Sequence, residues 1–159
     1  MMQKIIRTKV GPLRIVVSEQ GLHGIFWVSN PDIETCTGSA SITSQKILDE
    51  AETQIQQYFE GSRKSFHLPF DLKGSSFQKK VWAALLEIPY GQTISYKSLA
   101  ARIHSPKACR AVGNANSKNP ISIMVPCHRV IAENGSIGGY AGGVDTKRKL
   151  LEHESSLIL

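Results

Sequence analysis

The apolar periodicity of this chain changes once, across Arg63–Gly74, and that switch divides it into two differently built halves. Upstream, short apolar runs are broken by turn residues. Ile5–Val10 and Leu13–Ser18 flank Gly11-Pro12, and Leu22–Val28 follows Gln20-Gly21, so all three runs read as strands. The polar stretch Ser29–Ser41, with Asn30-Pro31 and Thr37-Gly38-Ser39, reads as a loop. Ile47, Leu48, Ala51, Ile55, Tyr58 and Phe59 then recur at three- and four-residue spacing, a helix stopped at Gly61. Residues 1–72 are thus expected to form a small α/β unit, and they contain no cluster that suggests chemistry.

Downstream the pattern turns helical. Ser75 with Gln78 forms a capping box ahead of the apolar face Phe77, Val81, Trp82 and Leu85, and Pro89-Tyr90-Gly91 stops that helix. A second helix is expected after Ser95, through Leu99 and Ile103. A third is expected from Ser105-Pro106 through Ala115, with Ser as N-cap and Pro at the first helical position. Two short helices joined by a few residues outline a helix-turn-helix. A hairpin over Ile131–Ile137, around Asn134-Gly135, would make it a winged one. A last helix is expected from Thr146 to about Glu154. The expected class is α+β, with residues 73–159 a mostly helical winged helix-turn-helix unit.

Charge follows the same division. Residues 1–72 carry seven Lys+Arg and eight Asp+Glu, whereas residues 73–159 carry twelve and five. The whole positive excess lies in the second half, which points either to a polyanionic partner or to a solvated basic surface. No apolar run approaches the roughly 20 residues of a bilayer span, and no leader pattern opens the chain, so a cytoplasmic protein is expected. Cys36, Cys109 and Cys127 are too few for a disulfide framework and lack zinc-ligand spacing, so no metal or other cofactor is expected.

The segment Pro126-Cys127-His128-Arg129-Val130 carries the chemistry. A thiol reacts as its thiolate, an adjacent imidazole can take the proton directly or through a water, and Arg129 adds positive charge. The competing reading is a buried, inert cysteine. The third helix is also unusual: Ala111, Gly113 and Ala115 give it a face of small side chains beside Arg110. Such a face suits close approach to another surface or tight packing on a neighbouring helix.

Together with Ile94-Ser95-Tyr96, Arg110-Ala111-Val112-Gly113, Asn119-Pro120, Gly139-Tyr140, Gly142-Gly143 and Leu151-Glu152-His153-Glu154, this segment resembles the O6-alkylguanine-DNA alkyltransferases in order and spacing over roughly residues 75–155. The N-terminal half resembles the family's ribonuclease-H-like domain in outline. The resemblance implies a DNA-repair protein that moves an alkyl group from guanine O6 irreversibly to Cys127, with the damaged base flipped out of the duplex. It implies that His128 acts as base through a water, oriented by Glu154, that Asn119 holds the active-site turn, and that Tyr96 donates to guanine N3. It further implies that the carbonyls of Cys127 and Val130 accept from the exocyclic amine and that Arg110 fills the gap left by the base. Ser95, Ala111, Gly113, Arg129, Tyr140 and Ala141 complete the implied DNA- and base-contacting set.

Two departures stand out: Ala141 where some members have Ser, and Asn116-Ser117, expected on the DNA-facing side of the third helix, where some have larger apolar and basic residues. Ser122 and Gly142 are expected near the pocket rim. The implied partner is double-stranded DNA containing O6-alkylguanine, bound by a monomer without a membrane. A DNA-binding module without chemistry and a cysteine hydrolase using Cys127 and His128 are the rival readings.

Overall fold

The computed structural model describes residues 1–29 and 41–154. The expected loop at 30–40, and Cys36 within it, lie outside the described residues. The chain forms two compact units, Met1–Lys73 and Gly74–Leu159.

In the first unit β1 (Met2–Arg7), β2 (Pro12–Val17) and β3 (Leu22–Trp27) form an antiparallel sheet in that order. β1 sits three residues earlier than the apolar run suggests. Thr8 closes the turn by bonding Gly11 through its backbone N–H (3.1 Å) and its hydroxyl (2.7 Å), so Lys9 and Val10 belong to the turn. Alternation along β2 turns Leu13, Ile15 and Val17 inward, against Leu48, Ala51, Ile55 and Tyr58 of α1 (Ile42–Glu60). Each such buried side chain contributes roughly 1.5–3 kcal/mol. α1 begins earlier than its apolar stripe, at a Ser41–Ser44 capping box, and ends at Gly61, whose φ of 84° provides the left-handed cap. Pro69–Asp71 runs beside the start of β3 through bonds with Leu22 of 2.8 Å each. A side chain at Gly21 would meet the Pro69 carbonyl at 2.5 Å, which explains the glycine there.

In the second unit α2 (Ser76–Leu85) starts at the Ser75–Gln78 capping box, both arms of which are formed. Trp82 on its buried face donates Nε1–H to the Ala115 carbonyl at 2.9 Å, tying α2 to α4 (Cys109–Ser117). α3 (Tyr96–Arg102) is capped by Ser95, whose hydroxyl accepts from Ser98 N–H at 3.0 Å. The third helix of the sequence reading starts later than Ser105-Pro106. Ser105–Ala108 is a separate turn closed by a 2.9 Å bond, and the non-helical φ and ψ of Ala108 (−100°, 30°) break it from α4. The same Ser-Pro signal suits one isolated turn as well as a helix start.

The wing also differs from expectation. Asn134-Gly135 makes a turn closed by Ala132 N–H to Ser136 O at 3.0 Å, but no strand follows it. β5 (Val130–Ile131) instead pairs in parallel with β4 (Ile94–Ser95), the two-residue strand just before α3. Between α4 and β5, residues 121–130 are buried without exception. Ile123 adopts φ +74° there, a conformation that β-branched residues avoid and that only a surrounding network can hold. α5 (Val144–His153) ends the described chain, with Glu154 as its C-cap residue.

Candidate active site

Asn119 supplies the network that holds the buried segment. Its Nδ2 donates to Val125 O (2.7 Å) and Ile121 O (3.3 Å), and its Oδ1 accepts from Ile121 N–H (3.0 Å). The loop is thereby closed on itself just before Pro126, and Cys127–Arg129 follow as one 3₁₀ turn. That turn presents three successive side chains to different partners.

The Cys127 thiol is buried, and burial pushes its pKa up to about 11, against the opposing pull of an Asn119 hydrogen bond and the Lys147 charge. It therefore stays protonated near neutrality and needs a base. His128 is fully buried, and its Nε2 lies 2.7 Å from Glu154 Oε2. Arg129 holds the same carboxylate through Nε to Oε1 (2.8 Å) and Nη2 to Oε2 (3.1 Å), and its Nη1 donates to the Ile88 carbonyl at 2.7 Å.

These contacts determine protonation. Hydrogen bonds from His128 and Arg129 and the charge of Arg129 hold the Glu154 carboxyl far below the usual carboxylate range despite its burial, so it is an acceptor. His128 Nε2 must then be the donor. Burial lowers the His128 pKa, so the ring is neutral and Nδ1 carries the lone pair. Nδ1 is itself buried and makes no hydrogen bond with any described residue. The site thus holds a protonated thiol next in sequence to a neutral imidazole whose basic nitrogen is uncommitted.

A cavity of about 300 Å³ opens over the thiol, at the lower end of the range for small-ligand sites. Tyr96 from α3, Gly113 and Asn116 from α4, Asn119 and Ser122 from the buried loop, and Gly139–Ala141 line it. Burial raises the Tyr96 pKa, keeping its hydroxyl protonated. Tyr96, Gly113, Asn119, Cys127, Tyr140 and Ala141 are thus brought together at one cavity, and the buried His128–Glu154 pair begins at the residue next to the thiol. Arg110 and Ala111 are exposed on the first turn of α4.

Several sequence-derived assignments change. Arg129 is not a surface contact; it is buried in the Glu154 pair and lies 5.7 Å from the Tyr90 ring centroid. Ser95 is half-buried and also caps α3 through its hydroxyl. Asn116 faces the cavity rather than a DNA surface, and its Nδ2 lies 3.5 Å from the Cys127 carbonyl, which also accepts from Val130 N–H. The Val130 carbonyl already accepts from Lys147 Nζ at 2.6 Å. Lys147 escaped the sequence reading, although Lys147, Leu150, Leu151 and Glu154 fall at helical spacing on one buried face of α5 and its cap. Among the described residues no group of three or more metal-ligating side chains is assembled, and no helix is long and apolar enough to cross a membrane.

Comparison with known proteins finds relatives along nearly the whole chain. Residues 1–72 match the model of the 6-O-methylguanine DNA methyltransferase ribonuclease-like domain, and residues 76–156 that family's DNA-binding domain. The chain belongs to the methylated-DNA–protein-cysteine methyltransferase family. The Methanosarcina acetivorans member is 43% identical over 98% of this chain and 99% of its own length. The constitutive Bacillus subtilis member is 57% identical over 85% and 83%. Among solved structures, that of Mycobacterium tuberculosis OGT in complex with DNA superposes with a TM-score of 0.84 at 40% identity, covering 97% of this chain and 92% of that one.

Proposed function

We propose that this protein repairs O6-alkylguanine in double-stranded DNA by moving the alkyl group to Cys127, once per molecule. The observation that carries the reading is the buried His128–Glu154 pair, its imidazole Nδ1 uncommitted, next in sequence to a thiol that lines a base-sized cavity.

The alkyl carbon on guanine O6 is enclosed by the stacked duplex, so the nucleotide must be everted, at a cost of a few kcal/mol. The exposed Arg110 occupies the gap, and the basic charge of residues 73–159 contacts phosphates. His128 Nδ1 takes the thiol proton through a bridging water. The sulfur then attacks the alkyl carbon, the carbon–O6 bond breaks, and its electron pair passes into the guanine ring system. The Tyr96 hydroxyl donates to N3 so that the base leaves neutral, and the proton held on His128 restores the balance. The unused lone pair of the Val130 carbonyl accepts from the exocyclic amine, and Gly113, Tyr140 and Ala141 bound the base. The product is a thioether, which no group at this site is arranged to hydrolyse, so turnover stops at one. Ala141 offers no hydroxyl near O6, leaving that contact to backbone N–H groups.

The test is incubation with duplex DNA carrying methyl-labelled O6-methylguanine, followed by peptide mapping. One label per protein on Cys127 is expected. DNA binding without label transfer would favour a damage-binding module, and repeated turnover of an ester or amide without DNA would favour a hydrolase. Either result overturns the proposal.

A further inference from the structure

Lys147 is the one fully buried lysine among the described residues. Its Nζ donates to the Val130 carbonyl at 2.6 Å and the Gly139 carbonyl at 3.2 Å, and lies 5.9 Å from the Tyr96 ring centroid. Among the described residues no carboxylate forms an ion pair with it. A buried ammonium is normally paired, because carbonyl dipoles and a ring face replace only part of its hydration. The Val130 carbonyl it bonds belongs to the residue that directly follows the Cys127–Arg129 turn and donates its own N–H to the Cys127 carbonyl. This sets the ammonium beside the segment of the Cys127 thiol, whose ionised form a nearby positive charge favours.

The two carbonyls place this cation as deliberately as its charge does. Val130 immediately follows the Cys127–Arg129 turn, and Gly139 belongs to the cavity wall opposite α4. One ammonium therefore ties α5 to both the nucleophile's segment and the wall that a base would touch. We infer that Lys147 is the counter-ion of the Cys127 thiolate and, through Val130 and Gly139, a positioning residue for the cavity. The inference deepens the transferase reading, but it concerns thiol ionisation and can be tested without DNA.

Three titratable groups face Lys147: Cys127 and His128 from the 3₁₀ turn and Tyr96 from α3. Burial lowers His128 from its ordinary 6.5, Tyr96 is raised above 10.0 and Cys127 to about 11, whereas Lys147 is lowered to about 8. A break near pH 8 in thiol reactivity therefore identifies Lys147. Below that pH the ammonium supports the thiolate, and the logarithm of the rate rises with unit slope. Above it the support is withdrawn and the rise flattens.

The experiment measures the rate at which iodoacetamide alkylates Cys127 between pH 6 and 9.5, read by mass spectrometry, in the wild-type protein, Lys147→Met and Lys147→Arg. The wild type should show the break. Lys147→Met should react at least roughly tenfold more slowly at pH 7, the equivalent of one pKa unit, and show no break. Lys147→Arg should keep the neutral-pH rate within a few-fold yet lose the break, because a guanidinium does not titrate there. A misfolded Lys147→Met protein would expose the thiol and react faster, and the wild-type and Lys147→Arg profiles then decide the matter. A wild-type profile without a break, or one that persists in Lys147→Arg, overturns the inference. Methyl transfer from O6-methylguanine duplex is assayed in parallel on the wild type. A break without transfer would refute the transferase reading alone.

Discussion

Arg129 grips Glu154 with two hydrogen bonds, 2.8 Å from Nε to Oε1 and 3.1 Å from Nη2 to Oε2, and so locks the carboxylate on which His128 depends. The acid has one charged partner that never loses its proton and one whose tautomer it dictates. Its remaining oxygen capacity reaches the Gly91 N–H at 3.4 Å. Neutralising Glu154 therefore strands a guanidinium in the core and frees the imidazole to turn. Glu154→Gln should lose about 3–5 kcal/mol of stability by denaturant unfolding at pH 7. Its single-turnover repair rate should fall by roughly a hundredfold, within the range that general-base catalysis supplies. Unchanged stability would show that the pair is solvated.

The same pair sets acid sensitivity. Burial holds His128 below its ordinary 6.5, and Glu154 is held far below its ordinary 4.5. In both cases the unfolded chain binds the proton more readily, so stability is complete above about pH 6.5 and declines as the pH falls through 6.5 and then through 4.5. Lys147, lowered to about 8, is charged in both states below about pH 7 and adds little slope there. The unfolding midpoint in urea should drop steadily from pH 7.5 to pH 4, and a flat profile would contradict the assigned protonation states.

Asn119 closes the buried loop with three hydrogen bonds. Asn119→Ala leaves the Ile121 N–H unsatisfied in a wholly buried segment and removes one of the two donors to the Val125 carbonyl, which keeps only Cys127 N–H at 2.8 Å. A loss of at least about 2 kcal/mol is expected from calorimetry or denaturant unfolding. Ile123 should relax from its positive φ in the same variant, seen as a changed amide resonance.

Arg110 is exposed on α4, and no group at the thiol contacts it. Arg110→Ala should slow repair in duplex DNA by tenfold or more, since tenfold corresponds to about 1.4 kcal/mol of the flipping cost. Reaction with free O6-methylguanine base should stay within a factor of two. Equal slowing of both would place Arg110 in the chemistry and end its role as a gap-filler.

How much of this was legible in the sequence depended on range. Ser75 with Gln78 and Gly61 mark their helix ends through contacts within four residues, and those ends are where the signals place them. The start of α4 was misplaced because Ser105-Pro106 initiates a turn whose continuation is decided by Ala108, a residue with no marking of its own. In the wing only the Asn134-Gly135 turn forms, while Val130 and Ile131 find a parallel partner some 36 residues upstream at β4, which no local pattern marks. At the site, Cys127 and His128 announce themselves as neighbours. Arg129 looked like a surface charge because nothing nearby reveals that Glu154 and the Ile88 carbonyl converge on it. Lys147 was discoverable from its place on the apolar stripe of α5.

The depth of Cys127 has a bearing on durability. A thiol that is only 5% exposed and ionises near pH 11 is a poor target for peroxide or for stray electrophiles. Its reactivity is withheld until a lesion in the cavity supplies the alkyl carbon within reach of the sulfur. For a molecule with a single event to perform, such dormancy protects against being inactivated before any damage is met.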